Sequence, residues 1–353
     1  MILTEFGVRL KDVRQSQGIS QSKLSMMSGI SRGQISRIEN GQINPTLDTI
    51  FKLSDALELS LSKLFDYKMS KASAYKQYKL RPFVKWAGGK TQILDKIKEL
   101  MPNEYNTYYE PFLGGGALFF NLAPDNAVIN DYNEELMIAF DAFKKKEDYY
   151  KLIEVLKEFE VNHSEKNYYK VREMDRTSDF KTLPNHVKAA RLIYLNKACF
   201  NGLYRVNSKG YFNVPSGKKE IVKAYDKELF DNIHDYFVNA NVTIISGDFE
   251  NAVKTAKKGD FVYFDPPYDT FEEQNNFTTY TKDSFGKAEQ VRLSKIYKKL
   301  SDKGVYVMLS NHNTGFIRDL YKDFNINVIE AKRMINSKAT GRGTVEELII
   351  TNY

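Results

Sequence analysis

The chain has 353 residues, 42% hydrophobic and 27% charged, the composition of an ordinary globular protein of two or three domains rather than a disordered or fibrous one. Lysine and arginine number 52 against 45 aspartate and glutamate, and the net charge of +7 permits contact with nucleic acid without establishing it. One cysteine, Cys199, excludes an internal disulfide framework and a cysteine-based zinc site, four scattered histidines suggest no metal, and no apolar run reaches the roughly 18 to 20 residues of a membrane span.

Residues 1–66 carry helical spacing and no strand alternation. Leu3, Phe6, Leu10 and Val13 recur at three and four residues, one face of a helix that Gly18 ends. Ser20 opens a second short helix with Leu24 and Met27, and Gly29 breaks it. Ser31 and Gln34 make a capping box for a third helix through Ile35 and Ile38, closed at Asn40-Gly41. Thr46 caps a fourth, with Leu47, Ile50, Leu53 and Leu57 expected inward. On the third helix Arg32, Gln34, Ser36 and Arg37 project away from Ile35 and Ile38, and arginine and glutamine suit base edges and phosphates in a major groove. The stretch 18–65 resembles the helix-turn-helix of the lambda repressor and Cro family: Gln21, the turn at Gly29 and the run SRIENGQ-x-x-P recur together. The resemblance implies that helix 31–40 enters the groove, that Gln21 lies beside the DNA backbone, and that the head is able to pair as a homodimer on palindromic sites. A helical protein-interaction module is the competing reading.

Residues 67–80 are Lys-rich and weakly patterned, the expectation for a basic linker. From 81 to 353 apolar strands alternate with amphipathic helices, with strands expected at 106–110, 127–131, 242–246, 260–264, 304–309, 326–331 and 346–351. Such alternation implies an α/β fold with a mostly parallel sheet, which binds ligands at the carboxyl ends of its strands. The first strand ends in Glu110-Pro-Phe-Leu-Gly-Gly-Gly116, and Asp131 ends the second, 131 − 114 = 17 residues past the first glycine. That offset is close to the one at which an acid meets a ribose in dinucleotide folds. The stretch lacks the G-x-G-x-x-G and Walker spacings, so NAD and ATP are poorly supported.

The most specific element is Phe264-Asp265-Pro266-Pro267-Tyr268, directly after the strand FVYF. Two prolines fix the backbone and remove two donors, leaving carbonyls and a carboxylate as outward acceptors beside an aromatic ring. Acceptors next to a stacking surface are what an exocyclic amine requires.

With KWAGGK (85–90), EPFLGGGALFF (110–120), FNGLYRVNSKGYFNVPSG (200–217), GDF (247–249), FTTYT (277–281) and LSNH (309–312), the chain from about residue 80 onward resembles the Dam-type DNA adenine-N6 methyltransferases. The resemblance implies a Rossmann-like methyltransferase sheet, S-adenosylmethionine as cofactor and double-stranded DNA as partner. It implies that Trp86, Lys90, Gly114, Gly116, Asp131, Asp248 and Phe249 surround the cofactor, Lys90 near its carboxylate and Asp131 at its ribose. Asp265 also borders the cofactor and, with Pro266, holds the target amine while Tyr268 stacks on the extruded base. A helical insertion at about 140–240 corresponds to the family's target-recognition region, in which Asn201, Leu203, Arg205 and Pro215 read the site, while Lys85, ahead of it in the chain, reaches the first guanine. GATC is the expected site; members reading GATATC share much of the segment. Methyl transfer from a sulfonium is expected to be direct and to need no metal. An RNA or protein N-methyltransferase, or a repressor with a decayed, cofactor-sensing second half, are the alternatives. With no leader segment in view and no membrane partner, a cytoplasmic location is expected.

Overall fold

The computed structural model describes residues 2–65, 80–90, 93–270, 285–332 and 344–353. Most of the Lys-rich stretch and the FTTYT segment lie outside them. The chain divides into two compact units, residues 1–79 and 80–353.

The first unit contains five helices among its described residues: α1 (Ile2–Ser16), α2 (Gln21–Ser28), α3 (Arg32–Glu39), α4 (Leu47–Ala56) and α5 (Leu61–Leu64). The serine and threonine caps form as their chemistry dictates, Ser20, Ser31 and Thr46 each accepting an amide from the first turn they open. Phe6, Leu10, Leu24, Ile35, Ile38, Leu53 and Leu57 make the core. Leu3 lies outside the described side chains. Leu47 departs from expectation: it is 74% exposed, because the first residue of α4 precedes the turn that faces inward. Met27 is also largely exposed. Beneath α3 a buried ion pair joins Arg14 to Glu39, with Nε–Oε1 at 2.6 Å.

The second unit is built on a seven-stranded sheet in the order β3-β2-β1-β4-β5-β7-β6. Its strands are β1 (Tyr108–Glu110), β2 (Asn126–Asp131), β3 (Asn241–Ser246), β4 (Phe261–Phe264), β5 (Tyr306–His312), β6 (Asn325–Lys332) and β7 (Thr344–Thr351). β1 to β5 are mutually parallel, while β7 runs antiparallel between β5 and β6. Side chains alternate between faces. Tyr109, Val128, Val262, Phe264, Val307, Leu309, Leu348 and Ile350 share one packed core with α14 (Lys287–Asp302), labelled in chain order with the helices below.

Short helices α6 (Leu94–Glu99), α7 (Ala117–Leu122) and α8 (Glu134–Asp141) flank the first strands. The segment between α8 and β3 carries α9 (Lys146–Val161), α10 (Glu165–Arg172), α11 (Asn185–Ala198) and α12 (Lys227–Asn239), mostly helical as its sequence suggests. α13 (Phe249–Ala252) follows β3, and α15 (Gly315–Leu320) follows β5. β1 and β4 are neighbours at the sheet centre, with Tyr108 opposite Phe261. The connections leave that point in opposite directions, which makes it the switch point where such sheets open a crevice.

Candidate active site

Both informative loops emerge at this switch point. After β1 the chain turns through Gly114 and Gly116, each at positive φ, 50° and 72°. Side chains rarely adopt that backbone region, so glycine belongs there. Asp131, at the end of β2, secures the turn: Oδ2 accepts the Gly114 amide at 2.9 Å and Oδ1 accepts the Asn133 amide at 2.9 Å. Burial raises the Asp131 pKa, opposed by these amides. The Tyr132 amide also acts on this carboxylate, which with about four lone pairs keeps acceptor capacity for a diol hydroxyl. Trp86 lies on the turn, since a Cβ built on Gly114 would be 3.1 Å from its Cδ1. Its indole stacks on Tyr204 with centroids 4.8 Å apart.

After β4 the Asp265 carboxylate is largely enclosed and meets Lys90 Nζ at 2.9 Å. Burial pushes the Asp265 pKa up to about 6, with Lys90 pulling the other way and Glu347 adding to the rise. Lys90 also donates to the Gly88 carbonyl at 2.7 Å and stands 4.6 Å over the Tyr268 ring. Sequence reasoning assigned Lys90 to a cofactor carboxylate; here it serves first as counter-ion to the buried Asp265, because an enclosed carboxylate is costly without one. Tyr268 OH donates to Glu347 Oε2 at 3.0 Å. Next door, Glu110 is buried and accepts from Tyr108 OH at 2.7 Å, and burial pushes its pKa up to about 8.

A buried amide chain braces the loop from behind. Gln290 Nε2 donates to the Pro267 carbonyl at 2.8 Å, Asn311 Nδ2 donates to Gln290 Oε1 at 3.1 Å, and Asn311 Oδ1 accepts the Asp269 amide at 2.9 Å. Gln290 gave no signal in the sequence; it looks like any polar residue of a surface helix. Asn311 stands within the LSNH motif, where the resemblance gives it no role of its own.

Asp248 caps α13 and receives a two-pronged contact from Arg292, at 3.0 and 2.6 Å, which holds its pKa below the usual range. Arg292 also lies 4.2 Å over Phe249, which packs against the rings of Phe112 at 5.1 Å and Phe285 at 5.8 Å. Arg292 was missed, because its partners are distant in sequence; Phe112 stands in the EPFLGGG run but was given no role of its own.

In the insertion, the turn Phe200–Gly202 is tied to Pro215, whose carbonyl accepts the Phe200 amide at 3.0 Å. Val206 bridges Phe212 across a hairpin that turns at Gly210. Lys85, Asn201, Leu203, Arg205 and Pro215 are all exposed around it. Arg205 Nε donates to Asn213 Oδ1 at 2.7 Å, which aims the guanidinium. In the head, Arg32 and Arg37 are exposed and Gln34 half-buried. Gln21 has an internal task as well, donating to Glu39 Oε2 at 2.8 Å.

Among the described residues no group of three or more His, Cys, Asp or Glu could hold a metal ion, and no helix is long and apolar enough to cross a membrane.

Comparison with known proteins gives two family matches. Residues 86–335 match the profile of the D12 class of N6 adenine-specific DNA methyltransferases, and residues 10–64 match a helix-turn-helix family. A type II methyltransferase of Lactococcus lactis subsp. cremoris is 49% identical over 274 residues, 78% of this chain and 96% of that protein. A type II methyltransferase of Methanocaldococcus jannaschii is 42% identical over 78% of this chain and 99% of its own length. The DNA adenine methylase of Haemophilus influenzae is 33% identical, with 79% and 96% covered.

Proposed function

The chain belongs to the D12 class of N6 adenine-specific DNA methyltransferases, and we propose that it methylates adenine within GATC in duplex DNA, with S-adenosylmethionine as methyl donor. The observation that carries this reading is the juxtaposition at the switch point: the Asp265–Tyr268 turn of β4 beside the glycine turn of β1.

The donor set suits the cofactor. Asp131 would hold the ribose hydroxyls, Gly114 and Gly116 would lie beneath it, and Trp86 would wall one side. Phe249, backed by Phe112, would face the adenine, with Asp248 held beside it by Arg292. Lys90 would serve the carboxylate, and Asp265 borders the same space. When bound, S-adenosylmethionine supplies a methyl group already activated by its sulfonium. The protein therefore needs no metal or covalent nucleophile, and its task is positioning. Asp265 and the Pro266 carbonyl accept the hydrogens of the target amine, and Tyr268 stacks on the base. Extruding that base from the duplex costs a few kcal/mol. Lys85 and Arg205 contact guanines, Leu203 and Pro215 pack on neighbouring pairs, and Asn201 supports the same turn.

Incubating the protein with S-adenosylmethionine and adenine-unmethylated genomic DNA, then mapping modified adenines, tests the whole reading. Modification at every GATC is expected. Modification confined to longer sites would retain the chemistry and revise the recognition; an unmodified genome would refute it.

The acid side of the kcat/KM profile offers a second check. Ionised Asp265 is a strong acceptor with no hydrogen of its own, whereas the protonated form is a weaker acceptor and presents an O–H to the amine. Its pKa stands at about 6 instead of an ordinary 3.8. Activity should therefore fall as pH drops through about 6, where an ordinary aspartate would still be charged. A profile flat down to pH 5 would remove Asp265 from the step.

The head supplies separate sequence-specific DNA binding, through Arg32, Gln34, Arg37 and Gln21, as a homodimer on the promoter of its own gene. Its match to a helix-turn-helix family and the exposure of both arginines support the DNA binding. Arg32→Ala combined with Arg37→Ala should abolish promoter repression in a reporter assay and leave GATC methylation in place. Equal loss of both activities would mean that the head serves the enzyme alone. Restriction protection is the setting most in keeping with relatives named as type II methyltransferases.

A further inference from the structure

Asn196, near the end of α11, is 1% exposed and commits its side-chain oxygen and both amide hydrogens to two other segments. Its Oδ1 accepts the Lys85 amide at 2.8 Å, and its Nδ2 donates to the Lys85 carbonyl at 2.8 Å, as a neighbouring strand would. The same Nδ2 donates to the Gly202 carbonyl at 3.1 Å. Gly202 is at φ 68°, and the Lys85 stem crosses directly above it: a Cβ there would lie 2.6 Å from Lys85 Cδ. One buried amide thus fixes the segment bearing Lys85 against the turn bearing Asn201 and Leu203.

We infer that Asn196 is a positioning residue for sequence specificity, which sets the spacing between Lys85 and the 200–205 turn so that their base pairs are read together. The inference rests on the reader assignment above. Asn196 does not itself touch DNA; it acts through the backbone of the groups that do. Contacts to adjacent base pairs tolerate little error in relative placement, since a displacement of about 1 Å can cost about 100-fold in a positioned reaction. Asn196→Asp keeps the shape and the acceptor for the Lys85 amide, but turns an oxygen toward two carbonyls that now receive an N–H. Gly202→Ala keeps the Asn196 side chain but crowds the Lys85 stem and strains the turn whose carbonyl that amide meets.

The test measures methylation rates on duplexes containing GATC or each singly substituted site, for Asn196→Asp, Gly202→Ala, Lys85→Ala and Arg205→Ala, with thermal melting alongside. Asn196→Asp should lose about tenfold discrimination at the base pairs read by Lys85 and by the hairpin together. Gly202→Ala should lose it chiefly at the pair read by Lys85. If Asn196→Asp fails to fold, Asn196→Ala, which removes the link without adding a buried charge, decides. A uniform slowing at all sites in the folded variants, with discrimination intact, would reduce Asn196 to a packing role and overturn the inference. Unchanged site choice in Lys85→Ala and Arg205→Ala would instead overturn the reader assignment, and this inference with it.

Discussion

Asp265→Ala is expected to lower the methylation rate by about a thousandfold or more while duplex binding survives. Removing one hydrogen-bonding group that acts at the reacting centre typically costs about 100- to 1,000-fold, and Asp265 is also the partner of Lys90. Without it, the ammonium 2.9 Å away is left largely enclosed with no carboxylate. Asp265→Asn is the informative companion. Its amide oxygen still accepts a hydrogen, so it should retain more activity than alanine, and it cannot titrate, so the acid limb near pH 6 should vanish. Single-turnover rates and gel shifts separate chemistry from binding. Parallel loss of rate and affinity in both variants would point to a misfolded loop. The Gln290–Asn311 brace holds that loop from the Pro267 carbonyl and the Asp269 amide, not through Asp265, which is why the loop is expected to persist.

The largest effect on stability is expected at Arg191. Its side chain is 0% exposed, pairing with Asp175 at 2.6 Å and Glu135 at 3.1 Å. It also donates to the carbonyls of Val171 and Arg172, and lies 4.9 Å over the Phe180 ring. Arg191→Ala strands two carboxylates that the fold has enclosed; breaking such a pair costs about 3–5 kcal/mol. Glu135 already has a raised pKa from burial, which Arg191 opposes, so in the variant it should rise further. Thermal unfolding should drop by about 10 °C, at a few degrees per kcal/mol for a unit of this size. The damage should reach the recognition hairpin, because Asp175 Oδ2 also accepts the Phe212 amide at 2.7 Å. Faster amide exchange around Phe212 is the expected signature. If Arg191→Ala melts like the parent, the pair is not structural. Adding Asp175→Ala should cost less than the sum of the single changes, since the two share one interaction.

The seven strands were legible because each is a short apolar run between turn signals, and burial on both sides leaves little else for Phe261–Phe264 to be. The helix caps were legible because Ser20, Ser31 and Thr46 act on amides within the next turn. Leu47 was misjudged because helical spacing alone does not say which turn first meets the core. The loops that meet at the switch point were legible because each motif is contiguous, and a turn such as Asp265–Tyr268 carries its acceptors and ring within a few consecutive residues.

What the sequence by itself determined is therefore local: which segments are strands or helices, where they start, and which short runs bear acceptors, glycines or aromatic rings. Tertiary structure alone decided how the runs meet. It inserted β7 antiparallel between β5 and β6, bringing Glu347 to Tyr268. It chose Asp265 as the partner of Lys90, Asp248 as the partner of Arg292, and Asn196 as the link between Lys85 and Gly202. The physical reason is common to all of them. A charge or amide taken out of water must find a partner, and the partner is whichever group the folded chain brings within reach, however far away it lies in the sequence.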